Sequence, residues 1–155
     1  MALKSDRYEL QTDISFFYNE GTATRGGVVV HDTAGSGAAM DQGVNLVKYA
    51  TVTATSRPVG ILLNDVVNKD LTRTHLNQYK DEVQKGGKVT VLRKGYVVTN
   101  NLTGNISAGD PAYACHVTAG NLRADSPGSS GVLQVGRFLS GKDADGYAKV
   151  EVNLP

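Results

Sequence analysis

Cysteine is nearly missing: Cys115 stands alone in 155 residues. One thiol cannot form a disulfide within the chain, and it cannot supply a Cys₂His₂ or Cys₄ zinc site. Its apolar setting, Ala112-Tyr113-Ala114-Cys115, reads as a reduced, part-buried thiol rather than a nucleophile. Tryptophan is absent, and only ten aromatic residues are spread along the chain, which weakens any case for the aromatic platforms of a carbohydrate site. No run approaches the ~18 apolar residues of a membrane-spanning helix. Neither charge is in excess. Sixteen Lys and Arg against fifteen Asp and Glu leave a formal charge of +1, without the global basic character of a nucleic-acid binder. The start, Met1-Ala2-Leu3-Lys4-Ser5-Asp6-Arg7, has no apolar segment behind its charges. The expectation is therefore synthesis in a cytoplasm without a secretory signal. Asn101-Leu102-Thr103 and Asn105-Ile106-Ser107 then match the glycosylation pattern by chance.

Catalytic constellations are also wanting. His31-Asp32 and Cys115-His116 are adjacent pairs, and neighbours in a strand point to opposite faces, so neither pair forms a dyad. Gly128-Ser129-Ser130-Gly131 lacks the spacing of a nucleophile elbow. Gly35-Ser36-Gly37-Ala38-Ala39 has no Lys-Ser/Thr after it to bind phosphate. Asp143-Ala144-Asp145-Gly146 begins like a calcium loop but lacks the later ligands, and reads as a hairpin turn. No catalytic residue, cofactor or metal is expected.

What is present is β sequence. The 18 glycines punctuate short β-branched runs. These are Val28-Val29-Val30, Val44 to Tyr49, Val59 to Leu63 with Asp65-Val66-Val67, Lys88 to Leu92, Tyr96 to Thr99, Ala112 to Val117 and Val132 to Leu139. Arg93-Lys94-Gly95 reads as a tight turn between two of them. The last run alternates, with Ala148, Val150, Val152 and Leu154 on one face and Lys149, Glu151 and Asn153 on the other. That is a half-buried strand. The expected fold is all-β, a small β-barrel or compact β-sandwich of roughly 8–10 short strands with an extended N-terminal arm.

Two segments depart from this rhythm. Residues 1–20 are slightly acidic and hold two of the three phenylalanines. They read as an N-terminal arm that docks elsewhere, or as an edge strand of the domain that fills 21–155. The excursion 68–87 is long and polar. Leu76, Tyr79 and Val83 fall at helical spacing, which leaves a short helix at 71–83 or a long irregular loop. Residues 68–95 hold seven cations against three acids, a basic surface suited to a protein partner more than to nucleic acid.

Several phrases in 26–155 resemble the cement, or head decoration, proteins of tailed-bacteriophage capsids. They are Gly27-Val28-Val29-Val30, Val59-Gly60-Ile61-Leu62, Lys94-Gly95-Tyr96-Val97-Val98, Ile106-Ser107-Ala108-Gly109-Asp110-Pro111-Ala112-Tyr113, Val135-Gly136-Arg137-Phe138-Leu139 and Val150-Glu151-Val152-Asn153-Leu154. The resemblance implies a non-enzymatic β protein that binds the outside of a mature head at capsomer junctions and stabilises it against packaged DNA. It implies the major capsid protein as partner, a homo-oligomer with a trimer preferred, no nucleic acid and no membrane. The protein would be made in the bacterial host cytoplasm and sit on the outer capsid surface of the virion. The arm and the excursion are additions to the commoner pattern. They supply the candidate capsid contacts: Leu3, Tyr8, Leu10, Phe16, Phe17 and Tyr18 from the arm, and Arg73, His75, Tyr79 and Lys80 from the excursion. The competing expectation is a β-sandwich binding module for carbohydrate or for a tail.

Overall fold

A computed structural model describes residues 3–32, 45–49, 57–65, 69–70, 75–76, 82–115, 118–125 and 134–154. Among these residues there are thirteen strands and no helix. In chain order they are Tyr8–Tyr18 (β1), Thr22–Thr24 (β2), Val28–Asp32 (β3), Leu46–Tyr49 (β4), Pro58–Asp65 (β5), Lys69–Asp70 (β6) and His75–Leu76 (β7). Glu82–Gln84 (β8), Lys88–Thr99 (β9), Pro111–Ala114 (β10), Leu122–Arg123 (β11), Gln134–Phe138 (β12) and Ala148–Asn153 (β13) follow. The count exceeds the sequence expectation because the short pairs β2–β8 and β6–β7 form two small sheets apart from the main one. Leu76 and Val83, two of the three positions at helical spacing, lie in strands β7 and β8. The rest of the proposed helix, residues 71–74 and 77–81, lies outside the described residues, as do Gly35-Ser36-Gly37 and Gly128 to Gly131.

The main sheet has nine strands in the order β1-β4-β3-β5-β9-β13-β12-β10-β11. β9 also pairs with β1, so the pairings from β1 through β4, β3, β5 and β9 return to their start. β1 and β4 run parallel, and the other pairs of this circuit are antiparallel. Two apolar cores result. Val28, Val30, Ile61 and Leu63 face one, together with Val135, Phe138, Val150 and Val152. Val29 and Leu62 face the other, with Tyr18, Val47, Val83, Val89 and Val91. β3 and β5 are therefore covered on both faces, which is why Val28-Val29-Val30 and Ile61-Leu62-Leu63 are unbroken apolar runs. β13 is covered on one face only and alternates as its sequence requires, with Ala148, Val150 and Val152 buried and Glu151 and Asn153 exposed.

β9 corrects one sequence expectation. Arg93-Lys94-Gly95 does not turn the chain; it lies inside one 12-residue strand. Leu92 and Val97 face the same core, although strict alternation would put them on opposite faces. The register explains the change. Glu9 faces Gly95, Gln11 faces Lys94 and Thr12 faces Leu92, so the ladder slips by a residue on each side of Lys94, as in a β-bulge. Gly95 has φ +139°, and a Cβ there would stand 1.9 Å from the Tyr8 carbonyl oxygen. The glycine signal was thus a bulge rather than a hairpin.

The second core contains a tyrosine pair. Tyr18 and Tyr49 meet edge to face at 5.9 Å. The Tyr49 ring lies against two glycines: a Cβ at Gly27 would be 2.8 Å from Cζ, and one at Gly120 would be 2.6 Å from Cδ2. Burial, with the Glu20 carboxylate adding to it, pushes the Tyr18 hydroxyl up to about 12. Burial pushes Tyr49 higher still. An unfolded tyrosine ionises near ~10. The protonated pair therefore contributes its full stability below about pH 10 and loses it as pH rises from there towards the folded values. The urea midpoint should fall across that window, and less steeply in Tyr18→Phe. A fall of equal depth in the variant would contradict this origin.

Candidate docking surface

The outward face of β1, β9 and β13 is built by the bulge just described. Tyr8 stands opposite Tyr96 in the β1–β9 register, and their rings stack at 6.1 Å and 26°. The Lys149 ammonium lies 3.9 Å from the centre of the Tyr96 ring, a cation–π contact. Leu10 and Leu139 stand beside them. Tyr8, Leu10, Tyr96 and Leu139 line an open groove of about 330 Å³ together with Lys94, Gly95, Val152 and Asn153. A second hollow of about 320 Å³, lined by Gln134, Gly136 and Arg137, shares Glu151 and Asn153 with it. Four large apolar residues are exposed among the described residues: Tyr8 at 55%, Leu10 at 66%, Ile14 at 53% and Leu139 at 38%. Three of the four belong to this groove, which makes the patch informative where scattered apolar residues would not be.

The charges around the groove are unevenly matched. Glu9 is held by Arg7 at 2.7 Å and Glu151 by Arg137 at 3.7 Å. No carboxylate among the described residues pairs with Lys94. Further off, Lys4 lies 3.7 Å from Asp143. Asp143 Oδ1 also accepts the backbone N–H groups of Asp145 and Tyr147, both at 2.9 Å. Those bonds, led by the one from Tyr147, hold its carboxyl below the usual range, with Lys4 helping. The segment that began like a calcium loop is thus a turn closed by its own aspartate. Among the described residues, no group of three or more His, Cys, Asp or Glu stands together to hold a metal ion. Cys115 is buried and its Sγ accepts the Thr118 N–H at 3.4 Å. His116 lies outside the described residues. The His31 ring packs edge-on to Phe16 at 5.7 Å. Asp32 is engaged instead by Asn19 at 2.9 Å and Lys48 at 3.8 Å.

The sequence candidates divide sharply. Tyr8 and Leu10 face outward in the groove. Leu3 is buried in the first core and bridges Thr99. Tyr18 is buried in the second core, and Phe16 packs against it half-buried. Phe17 is half-buried, with the Lys88 ammonium 5.9 Å from its ring centre. The segment read as an arm or an edge strand is, from Tyr8 to Tyr18, strand β1 of the main sheet. Of the excursion, His75 contributes backbone to β7, while Arg73, Tyr79 and Lys80 lie outside the described residues. Sequence reasoning included Lys94 only as one cation of the basic stretch 68–95, and it missed Tyr96 and Leu139 as contacts. The one signal for Tyr96 was its place opposite the buried face of β9, which the bulge obscured.

The structure is that of an all-β protein with an exposed apolar groove on one face of its main sheet. Its residues 7–153 match the family described as Structural cement protein (E217 gp24/Pam3 gp6). The chain belongs to that family of phage structural cement proteins. No curated protein matches it. Among solved structures, a chain of "The capsid of Myoviridae Phage XM1" shares the fold, with a TM-score of 0.51 and 16% identity over 96% of this chain and 84% of that one. The family resemblance read from the short sequence phrases is borne out.

Proposed function

We propose that the protein binds the outer surface of the mature head, at junctions between capsomers, and holds the shell against the pressure of packaged DNA. The observation that carries this reading is the family match over 7–153, in a chain where three of the four large apolar residues exposed among the described residues line one groove. The partner is the major capsid protein, and the role needs neither catalysis nor nucleic acid nor membrane. Synthesis takes place in the bacterial host cytoplasm. A cement acts by bridging, and a cyclic trimer suits a local threefold junction; light scattering of the free protein checks this, and a monomer both free and on the shell would exclude it. Co-sedimentation with purified capsids tests the function itself. Saturable pelleting with capsids and none with polysaccharide is expected; the reverse would favour a carbohydrate-binding module.

The basic stretch 68–95 is proposed to meet an acidic part of that partner. Complementary charge speeds encounter, but each exposed pair contributes only ~0–1 kcal/mol. Arg73→Glu with Lys80→Glu should therefore weaken capsid binding modestly and flatten its salt dependence. An unchanged affinity and salt slope would leave the stretch as a solvated surface.

A further inference from the structure

We propose that the groove between Tyr8, Leu10, Tyr96 and Leu139 seats an apolar side chain from an extended segment of the shell protein, with a neighbouring carboxylate of that segment on Lys94. This rests on the capsid-binding reading and names the surface that does the binding.

The argument starts from shape. At about 330 Å³ the groove lies at the bottom of the ~300–1,000 Å³ range of small-molecule sites, and it is open to solvent. Its walls are strands β1, β9 and β13 with Leu139 just past the end of β12, and Tyr8 is already stacked on Tyr96. A preformed site loses little freedom when it is filled, which favours binding. Apolar walls with an aromatic pair are the usual setting of an interface anchor. Charge then selects the occupant. Glu9 and Glu151 are matched by Arg7 and Arg137, which leaves Lys94 and Lys149 as a local positive excess. In a twofold contact with a second copy, the same surface meets itself. Ammonium groups near the axis would then face their own copies, which disfavours a twofold partner, and a threefold contact is read by the sedimentation measurement below. An apolar segment carrying a carboxylate satisfies both features of the groove at once.

The test measures binding to purified heads that lack the protein. Leu10→Ser with Leu139→Ser, both at exposed positions, should lower the apparent affinity by about tenfold or more, the loss expected for one interface anchor. Lys94→Glu should weaken binding and reduce its salt slope. Lys142→Glu, an exposed charge change in the β12–β13 turn, should leave both unchanged. Melting curves identify any variant that is merely unfolded, and Lys94→Glu carries the test if the serine double variant melts early. Failure of the unmodified protein to bind heads would overturn the capsid reading itself. Normal binding by the unmodified protein and by both groove variants alike would overturn the groove alone. Weak binding accompanied by a change in sedimentation coefficient of the free variants would assign the groove to a second copy, against the proposal.

Discussion

Deletion of residues 2–19 is expected to remove the cooperative unfolding transition of the protein altogether. The segment's sequence left two readings open: a docking arm, whose aromatic content suggested an anchor, or an edge strand of the domain. In the sheet it is the strand that joins β4 to β9. The amides of Phe17 and Asn19 donate to the carbonyls of Asn45 and Val47, at 2.8 and 2.9 Å. Those of Lys4 and Tyr18 donate to Val98 and Gly87, at 2.9 and 3.0 Å. Leu3 and Tyr18 are 8% and 2% exposed. Removing one large buried side chain costs ~2–5 kcal/mol, and the deletion takes two of them along with half-buried Phe16 and a full ladder of backbone bonds. The whole stability of such a domain is ~5–15 kcal/mol. Thermal unfolding followed by circular dichroism should show no sigmoidal transition. A truncated protein with an unchanged melting temperature that no longer binds capsids would show that the segment is a docking arm.

The second large effect is expected at Gly95. Alanine there requires a non-glycine residue at φ +139°, and its Cβ would sit 1.9 Å from the Tyr8 carbonyl oxygen. The obstacle is backbone, so no side-chain rotation relieves it. Holding the backbone in such a region costs ~1–3 kcal/mol, and overpacking adds ~1–3 kcal/mol more. Gly95→Ala should therefore lower stability by about 3 kcal/mol or more. It should also separate β1 from β9 where Tyr8 meets Tyr96, so capsid binding should weaken even at temperatures where the variant stays folded. Urea denaturation with a parallel binding assay checks both effects. Wild-type stability in Gly95→Ala would mean that β1 does not approach β9 at this residue.

The sequence revealed the parts of this fold that one strand decides alone. Alternation in Ala148 to Leu154 identified a half-buried strand because one side of β13 meets a core and the other does not. The unbroken runs of β3 and β5 identified strands, although their burial between two cores depends on the sheet order. Gly95 announced a departure from regular structure. The same residue type serves a hairpin turn and a bulge, and only the pairing of β9 with three neighbours separates the two. Three positions at 76, 79 and 83 are too few to fix a helical period, and Leu76 and Val83 are held in ladders instead. In β1, apolar residues recur at Tyr8, Leu10, Ile14, Phe16 and Tyr18, which is a strand period. The register slips against β9 then turn some outward and others inward. The groove was least visible because it joins residues 8–10, 94–96, 139 and 151–153. Four segments so far apart meet only through sheet order, and neither composition nor local period encodes that order.

A cryo-EM reconstruction of the virion tests the central claim most directly. The account predicts density for this all-β fold on the outside of the shell at capsomer junctions, with Tyr8, Leu10 and Leu139 turned towards the major capsid protein. A shell without this density, or with the chain found only in the tail, would contradict it.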